Sequence, residues 1–314
     1  MADLFTQNDI ADLFANKFII MLGDSNMRAM YKDLVYLFKH GRMTPASCFR
    51  GRHDNPFCGD KLIQVTKPSQ GRGYYEVRQF EDSQCSMMIR YQFITSVYGT
   101  LVQQLCTELE TGEVPIPQVV IINSCMWDLT RWGPYQEENY KRNIIKLFSR
   151  LRKILPDDTL VLWTTTPPVS SEHVKGGVLI KQLDFIQHSM RFMFMEANSF
   201  VQQVCVAFDY DLLDLHYWMR FQLNRRTIDG LHWEPHAMRY ITNLLLTHIS
   251  LAFENPLPNK FTNRSLDKTK MKATEALRGW KIDINLSKET MEDIFEIPLN
   301  ERNSVIEISN PTCK

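Results

Sequence analysis

A carboxylate and a hydroxyl follow an apolar run in "KFIIMLGDSNMR" (17–28), and an Asp and a His stand three apart in "TIDGLHW" (227–233). A serine hydroxyl is a weak nucleophile until a base takes its proton. His232 is of the right type for that base. Asp229 is spaced to accept from its ring, fix the tautomer and support the imidazolium that forms. A helix opening at Ser25 presents backbone N–H groups that can stabilise an oxyanion, and Gly23 lets the chain turn tightly there. These types and spacings point to nucleophilic acyl transfer. Each piece alone has a plainer reading, Gly-Asp-Ser as a helix cap and Asp-x-x-His as a surface turn. Their order and their places in the chain carry the stronger one.

The elements that must position them alternate between short apolar runs and amphipathic segments. "KFIIML" (17–22), "PQVVIINS" (117–124) and "TLVLWTTT" (159–166) have the composition of strands buried on both faces. Met27, Met30, Tyr31, Leu34, Leu37 and Phe38 recur at helical spacing behind the first run. Helices are also expected over 97–111, over "PYQEENYKRNIIKLFSRLRKIL" (134–155), within 179–204 and over 235–253. "YYEVRQF" and "MMIRYQF" read as further strands, and "VCVAFDYDLLDLH" as strand, then loop. The Gly-, Pro-, Arg- and Asn-rich stretch 41–73 reads as a long irregular excursion. This alternation argues for an α/β fold with a mainly parallel sheet covered on both faces. In such sheets functional groups gather at the carboxyl ends of the strands, where Ser25 falls. The expected organisation is one domain over 1–255 and a polar, flexible C-terminal tail over 256–314.

Composition sets further bounds. The chain has 314 residues, 44% apolar, with 36 basic and 36 acidic side chains. A net charge of zero argues against a nucleic-acid partner or an acidic membrane surface. No window reaches the ~18 uninterrupted apolar residues a membrane span needs, and the first residues do not read as a secretory signal. The expectation is a soluble intracellular protein, cytoplasmic or nuclear. Seven scattered cysteines without a CxxC read as reduced thiols, not as a zinc or disulfide framework.

The combination of Gly-Asp-Ser after the first strand and Asp-x-x-His near the domain's end resembles the GDSL or SGNH hydrolase superfamily. More closely, "KFIIMLGDSNMRAMYKDLV", "YYEVRQF", "VVIINSCMWDL", "LLDLHYWMRF" and "DGLHWEPHAMRYITNLLLTHI" resemble the PC-esterase domain-containing protein 1 family, over roughly residues 12–253. The resemblance implies a three-layer α/β/α, flavodoxin-like fold. It also implies an acyl-enzyme esterase, or an acyltransferase, with Ser25 as nucleophile, His232 as base and Asp229 as its orienter. No cofactor and no metal are implied. The implied substrate is an acyl ester on carbohydrate or another glycoconjugate. The superfamily's Gly-x-Asn-Asp block places its glycine on Cys125 and its asparagine on Trp127, so the usual amide donor is missing. Asn123, Trp127, Arg28 and the Ser25 N–H are the candidate oxyanion or substrate-binding groups, and Gly71, Gly73 and Gly99 are candidates for the second-block glycine. The rival reading is a binding or scaffolding protein that keeps the fold without the activity.

Other residues have structural readings first. Asp24 is expected to brace the turn before Ser25, and Asp128 to cap or brace the site. Asp214 and His216 are expected to form a buried hydrogen-bonded pair. His232 and His236 lack a third neighbour for zinc, and Cys125 reads as a buried, inert thiol. The locally basic stretch 41–61 reads as a solvated loop, and the Met-rich stretch 188–200 as a helix packed on the core.

Overall fold

The computed structural model describes residues 2–50, 56–66, 68–133, 136–172 and 174–258. The chain divides into two units, Met1–Lys260 and Phe261–Lys314. All of the second unit, and so nearly all of the expected tail, lies outside the described residues.

The first unit runs α1 (Gln7–Phe14), β1 (Phe18–Gly23), α2 (Ser25–His40), α3 (Ala46–Arg50), β2 (Lys61–Val65), β3 (Glu76–Asp82), β4 (Met87–Phe93), α4 (Thr100–Thr111), β5 (Val119–Ile122), α5 (Met126–Leu129), α6 (Glu137–Ile154), β6 (Leu160–Thr164), α7 (Met190–Phe208), β7 (Asp211–Leu213), α8 (Leu215–Met219) and α9 (Pro235–Ala252). The strands form one seven-stranded sheet in the order β2-β3-β4-β1-β5-β6-β7. β1 pairs in parallel with β4 and β5, and β6 and β7 continue the parallel half. β2 and β3 make an antiparallel edge. From β1 the chain first builds β2, β3 and β4 on one side and then crosses to β5 on the other, so the sheet's crevice opens beyond the carboxyl end of β1.

Every residue of β1 is buried, as a central parallel strand requires. Ile20, Leu22, Val120 and Ile122 face a core shared with α4, α6 and α7. Ile19, Met21, Val119 and Ile121 face the opposite core, shared with α1, α2 and α9. The period-two alternation of strand side chains thus feeds two helical layers, and the fold is the expected three-layer α/β/α arrangement.

Two local readings are corrected, and one helix is added. "VCVAF" is helical: α7 runs to Phe208 and stops where Asp209 takes a left-handed cap (φ 55°). Its buried positions Ala197, Val201, Val204 and Cys205 follow helical spacing, so packing on the sheet overrides the β preference of the valines. Only Asp211–Leu213 forms the strand. The excursion over 41–73 holds α3 and the edge strand β2, whose side chains are mostly exposed; a strand without a buried face leaves no alternation to read. The helix α1 opens on a capping box, Thr6 and Asp9 each bonding the other's backbone N–H.

Candidate active site

The turn from β1 into α2 is closely packed. A Cβ on Gly23 would stand 2.6 Å from Met27 Cβ and 3.1 Å from the Asn123 carbonyl oxygen. Only glycine lets β1 pass that close to both the helix and β5. Asp24 is the N-cap of α2: Oδ1 accepts from Asn26 N–H at 2.8 Å, and its carbonyl accepts from Arg28 N–H at 3.0 Å and from the Tyr91 hydroxyl at 2.9 Å. Burial pushes the Asp24 carboxyl above its ordinary range, opposed by the Asn26 N–H and by nearby His232 and Arg28. Ser25 is therefore held as the first residue of α2, partly exposed while Asp24 and Asn26 beside it are buried. Its N–H, at a helix N-terminus, has no carbonyl one turn earlier to bond.

The acid–base pair sits on a small antiparallel loop before α9. Arg226 bridges Trp233, Thr227 N–H donates to the His232 carbonyl at 2.8 Å, and Gly230 turns the tip at φ 78°. Within it His232 Nδ1 lies 2.7 Å from Asp229 Oδ2, and His232 Nε2 lies 2.7 Å from Ser25 Oγ. Asp229 Oδ1 accepts from Thr227 Oγ1 at 2.7 Å, Leu231 N–H at 2.9 Å and His232 N–H at 3.0 Å. Burial alone would raise this carboxyl. The bonds from the His232 ring and backbone, Leu231 and Thr227 outweigh that and hold it well below the usual carboxylate range. A carboxylate can only accept, so Nδ1 carries the ring proton and Nε2 is left to accept from Ser25.

Three supports were not read in the sequence. Asn26 Nδ2 donates to the Leu231 carbonyl at 3.3 Å, tying α2 to the acid–base loop. The backbone of Ser170 and Lys175 also holds that loop, Ser170 N–H donating to the Gly230 carbonyl at 2.9 Å and Lys175 N–H to the Asp229 carbonyl at 2.8 Å. Arg131 reaches over Trp127 and donates to the Gly177 carbonyl at 2.6 Å. None has a sequence signal beyond a polar side chain beside a motif or in a loop.

The candidate oxyanion groups are placed differently from the expectation. Asn123 Nδ2 donates to the Thr164 carbonyl at 2.7 Å and contacts Thr166 Oγ1 at 3.5 Å, so its amide braces β6. Arg28 is buried and pairs with Glu76 Oε2 at 2.8 Å, in a cluster where Glu76 also accepts from Tyr74 and Arg78 while Arg78 reaches Asp60. That pairing binds α2 to β3 and turns the guanidinium toward the antiparallel edge. The Trp127 indole packs edge-to-face on Phe93 at 5.9 Å and against Gly177, where a Cβ would stand 3.3 Å from the ring. Cys125, at the superfamily's glycine position, keeps a positive φ of 153°, and burial pushes its thiol well above its ordinary range. Of the second-block candidates, Gly71 lies under the Arg131 guanidinium and Gly99 caps α4.

The remaining residues brace the strand ends. Asp128 Oδ1 accepts from Val97 N–H at 2.9 Å and Oδ2 from the Ser124 hydroxyl. Asp214 and His216 do not form the expected pair. Asp214 accepts from Thr165 Oγ1 at 2.9 Å, while His216 Nδ1 meets the Thr166 carbonyl at 3.1 Å. Among the described residues no group of three or more His, Cys, Asp or Glu is arranged to hold a metal ion, and no helix is long and apolar enough to cross a membrane. A cavity of about 1040 Å³ is walled by residues that include Thr95, Tyr98, Asp128, Arg131, Trp132 and Asn139; Ser25, His232 and Asp229 are not among its lining.

No family model matches the chain. The human PC-esterase domain-containing protein 1A is 36% identical over 259 residues, covering 82% of this chain and 56% of that protein. The human PC-esterase domain-containing protein 1B is 34% identical over 265 residues, covering 82% and 60%. The chain thus spans less than two thirds of the length of these curated relatives. Among solved structures, an acetyl xylan esterase is similar with a TM-score of 0.42 at 14% identity, over 74% of this chain and 98% of that one.

Proposed function

We propose, for a chain that belongs over the aligned region to the PC-esterase domain-containing protein 1 family, that it is a serine esterase working through an acyl-enzyme. The observation that carries the reading is the continuous relay Ser25 Oγ–His232 Nε2 and His232 Nδ1–Asp229 Oδ2, both steps at 2.7 Å. Ser25 Oγ attacks the ester carbonyl carbon while its proton passes to His232 Nε2. Asp229 keeps the ring oriented and stabilises the imidazolium. The tetrahedral oxyanion forms against the Ser25 N–H at the start of α2. Its collapse breaks the bond to the alcohol oxygen, which takes the proton from His232. Water then attacks the acyl-enzyme carbonyl, giving a proton to His232; collapse breaks the bond to Ser25 Oγ, which takes that proton back from His232 as the acid leaves. Transfer to another alcohol follows the same steps with the acceptor in place of water.

Family resemblance supports acyl groups on carbohydrate as the substrate class. One observation favours a second reading, a binding protein without turnover: Asn123 and Arg28 are both engaged elsewhere. Losing a single oxyanion donor costs about 3 kcal/mol of barrier.

Labelling with a fluorophosphonate separates the two. Labelling that disappears in Ser25→Ala and His232→Ala supports the esterase. Folded wild-type protein that stays unlabelled favours the binding protein.

A further inference from the structure

The connection from β7 to α9 carries the acid–base pair, and it also carries an unusual surface. Residues 215–228 hold Arg220, Arg225 and Arg226 and no carboxylate. Among the described residues none of these three arginines is ion-paired. In the same stretch Tyr217 and Leu223 are exposed, Phe221 is 78% exposed and Ile228 is 91% exposed. Ile228 stands at the tip of the loop, next to Asp229. The Arg220 guanidinium lies over both neighbouring rings, 3.5 Å from the Tyr217 centroid and 4.3 Å from that of Phe221. Such stacking holds the cation among the apolar groups instead of apart from them.

Apolar side chains this exposed mark a surface that meets something. Among the described residues Arg220 and Arg226 donate only to the backbone carbonyls of Tyr217 and Pro168, and aromatic and aliphatic groups interleaved with arginines that lack a carboxylate partner match a layer with negative headgroups above hydrocarbon. We propose that this connection docks the protein on an anionic phospholipid surface, with Phe221 and Ile228 entering the interface and Arg220 and Arg225 meeting the headgroups. The chain's zero net charge averages over the stretch and hides it. β7 is parallel to β1 through β6 and β5, so the connection leaves the sheet at the edge where Ser25 stands. Docking there turns the serine toward an ester held at the lipid surface; this last consequence rests on the esterase reading, and the docking itself does not.

The test is flotation of the full chain with vesicles of phosphatidylcholine alone and of phosphatidylcholine mixed with phosphatidylserine. Wild type and Ser25→Ala should both float with the mixed vesicles and not with phosphatidylcholine alone. Phe221→Ser combined with Ile228→Ser should abolish flotation, and Arg220→Gln combined with Arg225→Gln should weaken it roughly fivefold per arginine. Circular dichroism and urea unfolding check that the variants keep the wild-type fold. Folded wild type that binds neither vesicle overturns the proposal, whether or not it binds an acidic protein instead. Equal binding to both vesicles, or full binding by both double variants, also overturns it. Flotation by a wild type that does not label would sink the esterase and leave the docking surface standing.

Discussion

His232 Nε2 stands 2.7 Å from Ser25 Oγ although 207 positions separate the two in the chain. One residue opens α2, the helix that follows the central strand; the other sits on the loop before α9. Their meeting follows from α2 and α9 sharing one face of the sheet, with Asn26 joining the two loops directly.

Asp229→Asn should leave the fold intact and slow ester turnover on the order of 10⁴-fold, because an amide can donate to Nδ1 and favour the wrong tautomer. Single-turnover kinetics with an activated ester measure it. A loss below tenfold would mean that the aspartate does not orient the base.

Gly23→Ala should destabilise the protein by about 1–3 kcal/mol and reduce fluorophosphonate labelling, since the new methyl meets Met27 Cβ and the Asn123 carbonyl. Met27→Ala keeps the obstructing Cβ and should not rescue it. Rescue by Met27→Ala in urea unfolding would show that the clash lies elsewhere.

Glu76→Gln should cost about 3–5 kcal/mol, because it leaves the buried Arg28 and Arg78 with one carboxylate fewer. Arg28 lies one turn beyond Ser25 on α2, so labelling should slow as well. Urea unfolding and labelling rates of the same samples test both parts.

Burial raises the Asp128 carboxyl to about 6, against the opposing bonds from Ser124 and the Val97 N–H. Its folded pKa lies above the unfolded value, so its contribution is fully present below about pH 4. That contribution is lost as pH rises through about 6. Between those limits wild type should lose about 3 kcal/mol relative to Asp128→Asn, an order-of-magnitude figure. Parallel urea melts at the two pH values decide it. A constant difference would mean that the folded protein keeps this carboxyl ordinary.

The parallel strands and the long helices were legible because burial on both faces, or on one stripe, leaves a run or a period in the sequence. β2 and the end of α7 were not. An exposed edge strand carries no apolar pattern, and a run of β-branched residues reads as strand until packing on the sheet makes it helix. In the site, Ser25, His232 and Asp229 were named from type, order and topological place, and the structure brings those three side chains together. Asn123 and Arg28 were named from proximity along the chain, which says nothing about where a side chain points.

The sequence by itself determined which residue types stand at which strand ends, because local patterns set the elements and their order. It also determined the tight Gly-Asp-Ser turn, whose conformational needs are local. Only the tertiary structure decided the partners. Asn123 turns to β6, Arg28 pairs with Glu76 across to β3, Trp127 lies between Phe93 and Gly177, and Phe221 and Ile228 stay uncovered. Those outcomes depend on which distant groups can satisfy a buried donor or cover an apolar face, and spacing along the chain does not encode that.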